Sequence, residues 1–97
     1  MLKDVKTKNR HGKAIQYNGE NIQEIADTFD LDFKELKSKS TLNGATYPDY
    51  IISEKGEEEW NEVLIGDYVY KDKKYNFVTI IPYFDFEEYW EIDNLTN

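Results

Sequence analysis

Tyr75-Asn76-Phe77-Val78-Thr79-Ile80-Ile81-Pro82 is the stretch whose reading decides the fold. Tyr75, Phe77, Thr79 and Ile81 alternate with Asn76, Val78 and Ile80, and this ring-rich, β-branched composition suits a pleated, half-buried strand. Pro82 ends it, having no amide to give a neighbouring strand. Upstream, Lys71-Asp72-Lys73-Lys74 reads as a polar turn. Before it, Leu64-Ile65-Gly66-Asp67-Tyr68-Val69-Tyr70 breaks at Gly66 and resumes as a further strand. Tyr50-Ile51-Ile52 is a compact strand, followed by a turn over Ser53–Glu57 centred on Gly56, whose missing Cβ permits positive φ. The return strand of that hairpin falls within Glu59–Val63. Downstream, Asp85 to Glu88 fits one helical turn and Tyr89 to Ile92 a short edge strand.

Toward the N-terminus, Lys13-Ala14-Ile15-Gln16-Tyr17 alternates well enough for a strand, stopped by the turn signal Asn18-Gly19. Ile22, Ile25, Ala26 and Phe29 then recur at i, i+3, i+4 and i+7, and Asn21 with Glu24 has the spacing of a capping box, so a helix is expected over 21–29. Leu31, Phe33 and Leu36 fit either a second helical turn capped by Asp30 or Asp32, or a strand. Residues 38–44 read as loop. The first twelve residues mix Lys3, Lys6, Lys8, Arg10 and His11 without apolar periodicity and read as a flexible segment. The expected fold class is α+β: one domain over 13–92 with a strongly bent antiparallel sheet, a partial barrel, and one main helix, ending in a frayed tail over 93–97.

Ninety-seven residues supply one modest core. Eight Tyr, five Phe and two Trp make that core aromatic. The absence of cysteine excludes disulfides, thiolate catalysis and cysteine-bound zinc. The start Met1-Leu2-Lys3-Asp4-Val5-Lys6 lacks the apolar run of a signal peptide, and no run of about eighteen apolar residues offers a membrane span. The expectation is therefore a cytosolic protein with no membrane partner.

Catalytic constellations are not evident. His11, the single histidine, lies in the basic N-terminal stretch and can form no multi-histidine metal site. The carboxylates of Glu57-Glu58-Glu59 and Glu87-Glu88 are adjacent, and neighbours on a strand point to opposite faces, so these runs read as solvated edges rather than acid–base pairs. No P-loop and no calcium loop is present. The expectation is a protein that is not an enzyme and uses no cofactor and no metal.

Charge carries more information. The net charge is −8, and it is distributed unevenly: residues 1–48 hold eight basic and seven acidic groups, residues 49–97 four and thirteen. An acidic half repels phosphate and disfavours direct nucleic-acid binding. It attracts basic partners through a long-range field, and interleaved rings add contact area at low entropic cost. The candidate partner-binding residues are Glu57, Glu58, Glu59, Trp60, Glu62, Asp67, Asp85, Glu87, Glu88, Tyr89, Trp90 and Glu91. Alternate acids on a strand lie roughly 6–7 Å apart, near the phosphate spacing of a nucleic-acid strand, so mimicry of nucleic acid is one route to a basic groove.

Three motifs in order, Ala14-Ile15-Gln16-Tyr17-Asn18-Gly19-Glu20-Asn21, Gly66-Asp67-Tyr68-Val69 and Pro82…Phe86…Trp90-Glu91, resemble a widespread family of small phage and prophage proteins, mostly of unknown function. The resemblance covers most of 13–92. This chain departs from the family pattern in lacking a Cys-Lys before Pro82, in carrying Trp90 where tyrosine is usual, and in its glutamate-rich hairpin. The resemblance implies phage origin and a host-cytoplasmic site of action, and carries over no catalytic residue. By analogy with small acidic phage inhibitors, anti-CRISPR proteins among them, it sets the expectation of an anti-defence protein that binds a basic, nucleic-acid-handling host protein. Two other readings are a virion component that self-associates through sheet edges, and a protein that sequesters a small ligand or nucleotide signal, with Lys71, Lys73 and Lys74 as its basic contacts.

Overall fold

A computed structural model describes residues 1–93 of the chain. Its elements run β1 (Lys3–Thr7), β2 (Arg10–Gln16), α1 (Ile22–Phe29), β3 (Leu31–Leu42), β4 (Ala45–Glu54), β5 (Asn61–Val63), β6 (Tyr68–Asp72), β7 (Val78–Ile81), α2 (Tyr83–Tyr89) and β8 (Glu91–Ile92). The class is α+β, as expected, but the strands divide between two antiparallel sheets and neither closes into a barrel. One has the order β7-β6-β2-β1-β8, the other β3-β4-β5. The helical turn expected over Asp85 to Glu88 is a seven-residue second helix, α2, beside the main helix α1.

The hairpins read from the distal half form, with β4 and β5 turning at Gly56 (φ 87°) and β6 pairing with β7 from Tyr68 against Ile81 to Lys71 against Val78. Two polar stretches behave otherwise than expected. Residues 1–12 hold β1 and the start of β2, paired from Lys3 against Ala14 to Thr7 against Arg10, with Val5 fully buried. The ladder satisfies the backbone there, and one buried valine among charged neighbours leaves no periodic signal. Residues 38–42, read as loop, continue β3 against β4 past a bulge between Glu35 and Lys39, where Pro48 stands opposite Lys39. The tail expected to fray lies, from residue 94, outside the described residues, while the Asp93 amide donates to the Asp4 carbonyl at 2.8 Å.

Strand alternation separates two cores. Ile15 and Val69, on one face of the five-stranded sheet, join Ile22, Ile25, Ala26 and Phe29 of α1 and the inner face of the second sheet through Leu31, Ile52 and Val63. The four apolar positions read as the buried stripe of α1 are all buried. The capping box does not form. Asn21 instead accepts from the Asn18 amide and donates to the Gln16 carbonyl, each at 2.9 Å, so its side chain serves the preceding turn. That turn requires Gly19: its φ is 96°, and a Cβ there would fall 2.2 Å from the Tyr47 ring. On the opposite face of the five-stranded sheet, Val5, Ala14, Tyr70 and Ile81 form the second core beneath Phe86 of α2.

Candidate functional site

Helix α2 is seven residues long and lacks a side-chain cap at Pro82. A helix this short does not hold in water on its own. Packing supplies what propensity does not. Phe86 is 4% exposed and stacks on Tyr68 with ring centroids 3.7 Å apart; Trp90, just past the helix, lies parallel to Phe86 at 6.4 Å and edge-on to Tyr70 at 4.7 Å. Asp67 provides the missing cap from a distance: one carboxylate oxygen accepts the Tyr83 amide and the other the Leu64 amide, both at 3.0 Å. Desolvation raises the Asp67 pKa against the opposing pull of those two amides. The Thr7 hydroxyl donates to the Tyr89 carbonyl, tying the helix end to β1.

With Phe86 facing inward, the rotation of about 100° per residue turns Phe84, Asp85, Glu88 and Tyr89 outward together, within an arc of about 140°. Phe84 is 80% and Tyr89 64% exposed. Asp85 and Glu88 lie exposed between the rings, and Glu87 flanks them. No basic residue stands in the helix to offset them. Glu91 follows in β8, with Lys6 of the neighbouring strand at 3.5 Å.

The candidate residues therefore do not make one continuous patch. Asp85, Glu87, Glu88, Tyr89 and Glu91 gather around α2. Glu57 and Glu59 border a groove between the two sheets with Val78, Thr79 and Ile80, and Glu58 is exposed in the same loop. Glu62 lines a second groove, of about 570 Å³, whose far wall is Pro82, Tyr83 and Phe84, so it alone of that group borders the helix. Trp60 belongs elsewhere, half-buried with the Lys34 ammonium 4.6 Å from its ring centre. Trp90 is half-buried in the second core, the role small aromatic sheets give such rings, and Asp67 is turned inward as a cap, a role that sequence reading missed.

Phe84 was absent from the candidate set, and it is the most exposed ring of the α2 face. Its signal was the phase of the helix. Read as a strand, Phe84 and Phe86 share a side; read as a helix beginning after Pro82, they part by about 200°.

Among the described residues no group of His, Cys, Asp or Glu is arranged to hold a metal ion. Among the same residues no helix is long and apolar enough to cross a membrane. No family model, no curated protein and no solved structure matches this chain.

Proposed function

We propose that this is a non-enzymatic binding protein that uses the outward face of α2 to engage and inhibit a basic, nucleic-acid-handling protein. The carrying observation is the pairing of two large exposed rings, Phe84 and Tyr89, with Asp85 and Glu88 on one short, cation-free helix. Rings beside acids suit a surface of arginines and lysines: carboxylates pair with guanidinium groups, and ring faces take the same cations. Glu87 and Glu91 extend the field and speed encounter. The phage resemblance supplies the setting, a host protein involved in defence, and the acidic face favours a protein that ordinarily holds nucleic acid.

The revised anchors are aromatic residues of α2 rather than the tryptophans, which are engaged within the fold. Capture from a bacterial lysate by tagged protein, in parallel with Phe84→Ala and Tyr89→Ala, tests the reading. The expected result is a basic partner retained at low salt, released as salt rises, and lost with either variant. A partner indifferent to both substitutions and to salt would remove the basis of the proposal.

A further inference from the structure

The five-stranded sheet is covered unevenly. The register places Asp4 opposite Lys13, Lys6 opposite His11 and Lys13 opposite Lys71, so these side chains share the face that carries Ile15 and Val69. α1 and the second sheet cover the Ile15–Val69 end. Toward the β1–β2 turn the same face stays open, and a cavity of about 480 Å³ lies there. Leu2, ahead of β1, and Phe29, the last residue of α1, are its apolar walls; His11, Lys13, Lys71 and Lys73 bring the basic groups.

The charge balance within the cavity is specific. Asp4 is held by Lys13 at 2.9 Å, and Asp93 lies 3.8 Å from Lys6, a cation it shares with Glu91 at 3.5 Å, so neither lining carboxylate on this face draws on Lys71 or Lys73. Asp72 borders the cavity too, but its side chain belongs to the other face, where it accepts from the Tyr70 hydroxyl at 2.6 Å and from the Tyr75 amide at 2.8 Å. Lys71 and Lys73 pair with no carboxylate among the described residues. Two ammonium groups without an ion-pair partner among the described residues, beside an apolar wall and in a cavity within the usual ligand-site range of roughly 300–1,000 Å³, fit an anion of two charges joined to a flat apolar body.

We propose that this cavity binds a small phosphate monoester bearing a ring, with Lys71 and Lys73 on the phosphate and Phe29 and Leu2 against the ring. The site lies on the opposite face of the sheet from α2, so it stands or falls independently of the protein-binding reading.

Adenosine 5′-monophosphate serves as the ring-bearing probe and inorganic phosphate as the headgroup alone, with affinity measured by calorimetry and location by amide chemical shifts on the full chain. The expected result is binding of the nucleotide that shifts the amides of Gly12, Thr28, Phe29, Lys71 and Lys73 and exceeds the affinity for inorganic phosphate. The double variant Lys71→Gln/Lys73→Gln weakens it by about tenfold or more. Lys74→Gln, whose ammonium sits 5.2 Å from the Tyr75 ring centre and outside the cavity, leaves it unchanged. All three positions lie at or near the surface, and far-ultraviolet circular dichroism verifies that the variants fold. The proposal is overturned if the nucleotide shifts none of those amides, if the double variant binds as well as the parent, or if inorganic phosphate binds as tightly as the nucleotide.

Discussion

Replacing Phe86 with alanine tests how α2 is held. The side chain is nearly fully buried and lies flat on Tyr68. Returning such a ring to water costs about 1.5–3 kcal/mol. Its aromatic contacts contribute about 0.5–1.5 kcal/mol beyond burial. A residual cavity over Val5, Ala14 and Tyr70 adds to this, placing the total in the range of about 3–5 kcal/mol seen for buried phenylalanines. A domain of this size is stable by about 5–15 kcal/mol in all, so the loss is a large fraction. With about 4–8 °C per kcal/mol, the melting temperature falls by at least about 12 °C. Phe84→Ala, two residues away on the exposed side, changes stability by no more than about 0.5 kcal/mol. Thermal melts followed by circular dichroism measure both. If the two variants lose comparable stability, or Phe86→Ala costs under about 1 kcal/mol, the helix is not docked through that ring and the outward face assigned to it is wrong.

Other perturbations probe the supports around this helix. Asp67→Asn leaves one acceptor where two amides need one each and turns an N–H toward the other, a loss of about 1–3 kcal/mol in urea unfolding together with faster amide exchange at Tyr83 and Leu64. The Tyr17 hydroxyl donates to the Pro48 carbonyl at 2.7 Å, and burial, with smaller contributions from Tyr50, Asp49 and Glu35, pushes its pKa up to about 12. Because the folded state holds that proton more tightly than the unfolded chain, stability is complete below pH 10 and declines as pH rises from 10 through about 12. Tyr17→Phe flattens part of that decline, as alkaline unfolding curves will show. Gly19→Ala combines positive φ with the Tyr47 clash and destabilises more than Gly56→Ala, where φ is 87° but nothing lies within 4 Å; equal losses would mean that backbone conformation alone sets the cost.

The parts of the fold legible in sequence are those with local periodicity. The apolar stripe of α1, the hairpin turning at Gly56, the strand break at Gly66 and the stop at Pro82 each follow from a few neighbouring residues. β1 and the distal half of β3 did not, since Lys3-Asp4-Val5-Lys6-Thr7 is held mainly by the backbone ladder to β2 with one buried apolar side chain, and Ser38-Lys39-Ser40 continues its strand across a bulge. The division into two sheets has a non-local origin: β2 pairs with β6 and β1 with β8 across more than fifty residues, contacts that no turn motif announces. At the candidate site, the acids and Tyr89 were legible as a charged, ring-bearing block. The inward turn of Asp67, the packing of Trp90 and the outward turn of Phe84 depend on where one short helix begins and which ring it buries.

The most direct test of the central claim is the affinity for the captured basic protein, measured against salt concentration for the parent and for Phe84→Ala with its fold intact. The account predicts that binding by the parent weakens steadily with salt and that the variant binds far more weakly at every concentration. Equal affinities for the two proteins, or a flat dependence on salt, would contradict it.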